Sequence, residues 1–291
     1  MENSALTQFC KAIGLDPDFI PPLLGAVRRL GAPLTEAVDR YLADRTLAAN
    51  AVTETLAPLA EGAGIHAYTR DAAFTLLASY RQKEDFIAEY GEEIFWGAAC
   101  DLVWKMRECH RRFGIVGTCS IAWHHKLLRQ EYFSLGRLQF HLDPIHCDID
   151  VGGIRLKKGD TVVRIHIPSS GKLTEELCLD AYRRAYRHFR RHFESDVIPF
   201  YCCTWMLDPY VPAAVPGGGL SAFAAPFTLF DVKDDPSNLN FWRIFGKEYK
   251  DPAEMPRESR LQIAIADRYA AGECMKIGYG VFLFDGEKVV G

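Results

Sequence analysis

The stretch Val162-Val-Arg-Ile-His-Ile-Pro-Ser-Ser-Gly-Lys-Leu-Thr-Glu-Glu-Leu177 constrains the fold more tightly than any other part of the chain. Its first half is rich in branched apolar residues, as a strand is, and Pro168 ends it because proline cannot donate to a sheet ladder. Ser169, Ser170 and Gly171 form a tight turn, and Thr174 is suited to cap a helix that runs on to about Phe193. A strand that passes through a glycine turn into a long helix is the unit of a helix-covered sheet. Residues 127–291 are therefore read as an α/β or α+β sheet domain.

The other strands of that domain are read at Leu135–Leu142, Ile149–Leu156, Ile198–Met206, Phe227–Val232 and Ile277–Phe284. Asp235-Pro236 reads as the N-cap and first turn of a helix ending at Gly246, and Arg257–Ala271 as another. Gly217-Gly-Gly219 reads as a flexible loop. Residues 1–126 read as helices alone. Leu34–Leu59 has helical periodicity, and Glu92–Phe113 carries one broad apolar face with acidic residues at its start and Gly114 at its end. The first 126 residues are thus a helical domain.

Composition limits the function classes. The 291 residues carry a formal net charge of −4, which argues against a nucleic-acid-binding module. No run approaches ~18 apolar residues, so no membrane span is expected, and the first residues lack the pattern of a secretory signal. The nine cysteines show no framework spacing and no CxxC, and reduced thiols in a cytoplasmic protein are the simplest expectation. His124-His125, His141 and His146 contain no HExxH, and no metal is expected. The basic run Arg183, Arg184, Arg187, Arg190 and Arg191 reads as a solvated helix face.

The turn carries the chemistry. Free N–H groups at a strand–turn–helix junction can take a phosphate, and Lys172 adds a positive charge. Glu175 and Glu176 already supply negative charge to the same helix end, which leaves a purely structural turn open as the other reading. The turn lacks the GxxxxGKS or GxxxxGKT pattern of a P-loop and the three glycines of a dinucleotide-binding turn.

The stretches HIPSSGKLTEE, FYCCTWMLDP and SNLNFWRIFG, with LGRLQFHLD before them and IGYGVFLFD after, resemble a bacterial family of acyltransferase-domain proteins. Its members pair a helical N-acyltransferase N-terminal domain with a GNAT-like C-terminal domain. The resemblance implies an α+β architecture: an all-α domain over 1–126, then a GNAT-like mixed sheet with flanking helices over 127–291. It also implies an acyl-CoA-dependent N-acyltransferase with acyl-CoA, most simply acetyl-CoA, as co-substrate and an amine as acceptor. A homodimer is compatible with it. The alternative is a non-catalytic binding or assembly protein that keeps the fold.

Carried onto this sequence, the resemblance implies that Ile165, Ile167 and Pro168 face the pantetheine arm. Ser169, Ser170, Gly171, Lys172, Leu173 and Thr174 would meet the diphosphate. Asn238, Asn240 and Phe241 would lie near the arm or the thiol. Amine acylation needs a base and an acid. His166, at the strand end and of a type that titrates near neutrality, is the expected base. Asp208 could pair with it, and Tyr279 could protonate the leaving thiolate. Cys202 and Cys203 offer a cysteine nucleophile as a further alternative.

Overall fold

The computed structural model describes residues 2–237 and 240–290. The chain divides into two compact units, Met1–Ser134 and Leu135–Gly291.

Among the described residues, the first unit is built from eight α-helices: α1 (Glu2–Ala12), α2 (Ile20–Ala43), α3 (Ala49–Glu54), α4 (Ala57–Gly62), α5 (Ala67–Arg81), α6 (Lys83–Tyr90), α7 (Glu92–Phe113) and α8 (Ile121–Leu128). The expected helix over Leu34–Leu59 is in fact the second half of α2 followed by α3 and α4. Asp44 leaves the helix with extended backbone, and its side chain accepts from Thr46 N. Such local hydrogen bonds from Asp compete with helix continuation. The middle of α5 is buried on every side, from Arg70 to Ser79, and its alanines at 72, 73 and 78 let neighbouring helices approach closely. Helix α7 ends as its sequence implies: Gly114 is left-handed at φ 69° and donates to His110 O at 2.8 Å.

One buried group gives this unit a pH dependence. His124 is 2% exposed and hydrogen-bonded to Thr118 Oγ1 at 2.9 Å, and burial, then Lys105, holds its pKa down to about 3. An unfolded histidine titrates near ~6.5. Between those values the unfolded chain binds a proton that the folded chain refuses, so stability falls as the pH drops through that window. The urea midpoint of the wild type should fall between pH 7 and pH 5, and in His124→Gln it should fall less. Equal losses in both proteins would assign the acid sensitivity to other groups.

The second unit holds most of a seven-stranded mixed sheet. Its strands are β1 (Phe133–Leu135), which joins the two units in sequence, β2 (Leu138–Pro144), β5 (Thr161–His166), β6 (Ile198–Thr204), β7 (Thr228–Asp235), β8 (Met275–Phe284) and β9 (Val289–Val290). The order is β1-β2-β5-β6-β8-β7, with β9 also on β8. Strands β3 (Ile149–Val151) and β4 (Ile154–Leu156) form a separate hairpin. The single strand expected over Ile149–Leu156 is that hairpin, because Gly152 and Gly153 both take positive φ and reverse the chain. Helices α9 (Glu175–Phe189), α10 (Tyr210–Ala214), α11 (Gly219–Ala224), α12 (Phe241–Phe245) and α13 (Arg260–Ala270) flank the sheet, and the architecture is α+β. Gly219, read as part of a loop, opens α11.

The helix expected to start at Asp235-Pro236 does not form there. Asp235 closes β7 opposite Met275, and its carboxylate engages Ser237 and Asn240. Sheet pairing and local side-chain bonds override a good capping dipeptide. Phe200 and Phe282 stack across β6 and β8 at 5.2 Å, and Tyr182 of α9 packs on Phe282 at 5.0 Å. This fixes α9 against one sheet face. Among the described residues, no helix is long and apolar enough to cross a membrane.

Candidate functional site

Side-chain alternation divides the sheet. Val163, Ile165, Phe200 and Phe282 face α9, whereas Arg164, His166, Tyr201, Cys203 and Tyr279 share the opposite face. The two central strands, β5 and β6, are parallel, yet their ladder pairs just two positions, Val163 with Phe200 and Arg164 with Tyr201. Strand β5 runs on to His166 and β6 to Thr204 with no further ladder between them among the described residues. The sheet therefore opens along its own middle, directly beside the turn that leads into α9.

That turn keeps its donors uncommitted. Among the described residues, the N–H groups of Ser170, Gly171, Lys172, Leu173 and Thr174 donate to no backbone acceptor. The carbonyl side, by contrast, is held. Arg137 donates Nε to Lys172 O and Nη2 to Gly171 O, each at 2.9 Å. Gly219 lies so close that a Cβ there would fall 1.7 Å from Leu173 O. Thr174 caps α9 by accepting from Leu177 N at 3.3 Å. A row of donors without backbone acceptors at the positive end of a 15-residue helix is an arrangement that can take an anion.

Residues 132–282 match the GNAT-like C-terminal domain family. The chain belongs to that family. A search of curated proteins finds no match. Among solved structures, an acyltransferase in complex with decanoyl-CoA and teicoplanin is similar, at 21% identity over 94% of this chain and 86% of that one, with a TM-score of 0.71. A mutant acyltransferase in complex with octanoyl-CoA aligns at 21% identity over the same shares, with a TM-score of 0.70. An acyltransferase in complex with CoA and 10C-teicoplanin aligns at 22% identity over 94% and 82%, with a TM-score of 0.63.

Within this GNAT-like domain the residues singled out from sequence have different surroundings. His166 is half-buried at the end of β5, and its Nε2 lies 3.0 Å from His141 Nδ1, with the two rings nearly parallel. Arg164 binds Asp143 at 2.6 Å. Burial alone would lower the Arg164 pKa, but the hydrogen bond and charge of Asp143 outweigh it and raise the pKa. Tyr279 lies opposite Cys203, with Lys233 Nζ 4.9 Å from its ring centre. Burial, and then the neighbouring Cys203, push the Tyr279 hydroxyl pKa up. Three arginines of the basic run are paired on the surface: Arg183 meets Glu287 and Arg184 meets Asp180 on α9, and Arg190, just past its end, meets Asp196.

Ile165 is buried beneath α9, while Ile167 and Pro168 are half-buried at the opening. Asp208 is 1% exposed, with Oδ2 taking Arg268 Nη1 at 2.7 Å and Lys276 N at 2.9 Å, and Oδ1 taking Tyr210 N at 3.1 Å. Phe241 is packed into a core with Phe245 and Tyr269. Asn240 donates to Asp235, and Asn238 lies outside the described residues. The buried Cys202 thiol is pushed up by burial, away from the thiolate a nucleophile requires.

Sequence reading missed Arg137 and Asp143. The signal was there: Arg137, Gln139, His141 and Asp143 recur every second residue, a polar stripe along a strand whose other side is apolar. Its meaning depends on the antiparallel register that sets His141 opposite Arg164 and Gln139 opposite His166.

Proposed function

We propose that this protein is an acyl-CoA-dependent N-acyltransferase. The observation that carries the reading is the two-position ladder between β5 and β6, which ends beside the uncommitted amides of Ser170–Thr174. An extended pantetheine arm could lie along the opened strands, with the diphosphate on the turn. The likeness to acyltransferases solved with octanoyl-CoA and decanoyl-CoA supports the same reading.

In this reading His166 removes a proton from the acceptor amine, and the amine nitrogen attacks the thioester carbonyl. The C–S bond breaks and Tyr279 protonates the departing thiolate. Asp208 and Phe241 hold the fold, and the acceptor is a small molecule with a free amine. The family resemblance suggests acetyl-CoA as donor, whereas the solved acyltransferases hold longer chains, so acetyl-, octanoyl- and decanoyl-CoA form the test panel.

Calorimetric titration should show saturable 1:1 binding of CoA and of at least one member of the panel. No heat of binding at millimolar ligand would sink the reading. Glu175 and Glu176, exposed in the first turn of α9, favour the second reading, a binding protein that retains the fold. Binding without turnover across an amine panel would establish that one instead.

A further inference from the structure

We infer that Arg137 is a positioning residue for the diphosphate of the acyl donor: it fixes the Gly171–Lys172 carbonyls inward so that the turn amides point outward. The inference rests on the acyl-CoA reading above. Arg137 precedes β2, far from the turn in sequence, and reaches it through two parallel hydrogen bonds from one planar guanidinium. A planar fork that holds two adjacent carbonyls fixes orientation as well as distance, which a lysine cannot do.

Three further observations converge on this residue. The third nitrogen of the fork, Nη1, is buried and has no hydrogen-bond partner, and no carboxylate pairs with Arg137 among the described residues. A half-buried cation without a counter-anion, bonded to the carbonyls of a turn with five uncommitted amides, is one whose electrostatic demand a bound anion would meet. Gly136 beside it takes φ 67°, and a Cβ there would press on Asp180 and Arg184 of α9, so the Arg137 backbone is seated directly against the helix that the turn begins. Gly219 closes on Leu173 O from another element, so three successive carbonyls, at 171, 172 and 173, are gripped while the intervening donors stay open.

The test uses the full chain and its Arg137→Met and Arg137→Lys variants, titrated with CoA, with 3′-dephospho-CoA and with S-acetylpantetheine, which carries no phosphate. We expect Arg137→Met to weaken CoA and dephospho-CoA by the same factor, at least tenfold, because both keep the diphosphate. Arg137→Lys should recover only part of that loss, since it restores the charge but not the fork. S-acetylpantetheine binding, followed by NMR, should be unchanged in both variants, which a general loss of structure would not allow. If Arg137→Met does not fold, the Arg137→Lys comparison of CoA with S-acetylpantetheine decides. Wild-type affinity for CoA in the variants would overturn the inference alone. A loss for S-acetylpantetheine as large as for CoA would also overturn it. A wild type that binds no CoA would instead overturn the functional reading on which it rests.

Discussion

Replacing Asp208 with alanine is expected to cost about 3–5 kcal/mol of folding free energy, because it takes the buried partner from the Arg268 guanidinium and leaves only the exposed Glu273, 3.3 Å from Nε. Arg268 is 7% exposed and is held by Asp208 Oδ2 at 2.7 Å, with Tyr210 at 4.7 Å from its charge centre. The same carboxylate also satisfies two backbone donors, at Tyr210 and Lys276. These bonds tie the start of α10, the body of α13 and the start of β8 to one another. Removing the carboxylate leaves two amides and the inner edge of the guanidinium to be resolvated or left unpaired. Urea unfolding monitored by circular dichroism reads the cost directly, and the thermal midpoint should fall by about 10 °C. Arg268→Met combined with Asp208→Ala should recover part of the loss, since the charge that needed a partner is gone. A cost below ~1 kcal/mol would show that the pair is not the structural tie described here. It would also return Asp208 to the list of groups available for catalysis.

His166→Ala should behave in the opposite way. A half-buried strand-end residue contributes little to packing, and losing its bond to His141 should cost no more than about 1–2 kcal/mol. The rate of acyl transfer should drop by about 10²–10⁴-fold, the range supplied by a positioned general base, while CoA binding stays within about twofold. Stopped acyl transfer with intact CoA binding is the signature of a group that acts on the reacting atoms and not on the donor. An unchanged turnover number would remove His166 from the mechanism and direct attention to Tyr279 and Cys203, which share its face of the sheet.

The two substitutions show where the sequence was readable. The surroundings of His166 could be read because they are local: strand, proline, turn and helix follow one another within fifteen residues, and each is signalled by its own chemistry. The cap at Thr174 and the stop at Gly114 were readable for the same reason. Asp208 could not be resolved in this way. Next to Pro209 it looked equally suited to a turn and to a catalytic pair, and its buried partner, Arg268, lies sixty residues away. Phe241 was likewise ambiguous, since an aromatic residue on an amphipathic helix suits a cofactor wall as well as a core. Its edge-on contact with Tyr269 placed it in the core.

Residue order by itself determined the helical first part, the mixed sheet that follows and the position of the turn between β5 and α9. Periodicity, caps and glycine stops act over a few residues, and the backbone obeys them wherever nothing distant competes. Tertiary structure decided which residues those pieces bring together. It ended the β5–β6 ladder after two pairs, set His141 beside His166, and brought Arg137 and Gly219 against three carbonyls of one turn. Such contacts join residues far apart in the chain through register and close approach. Register is a property of paired strands, and no single strand carries it alone.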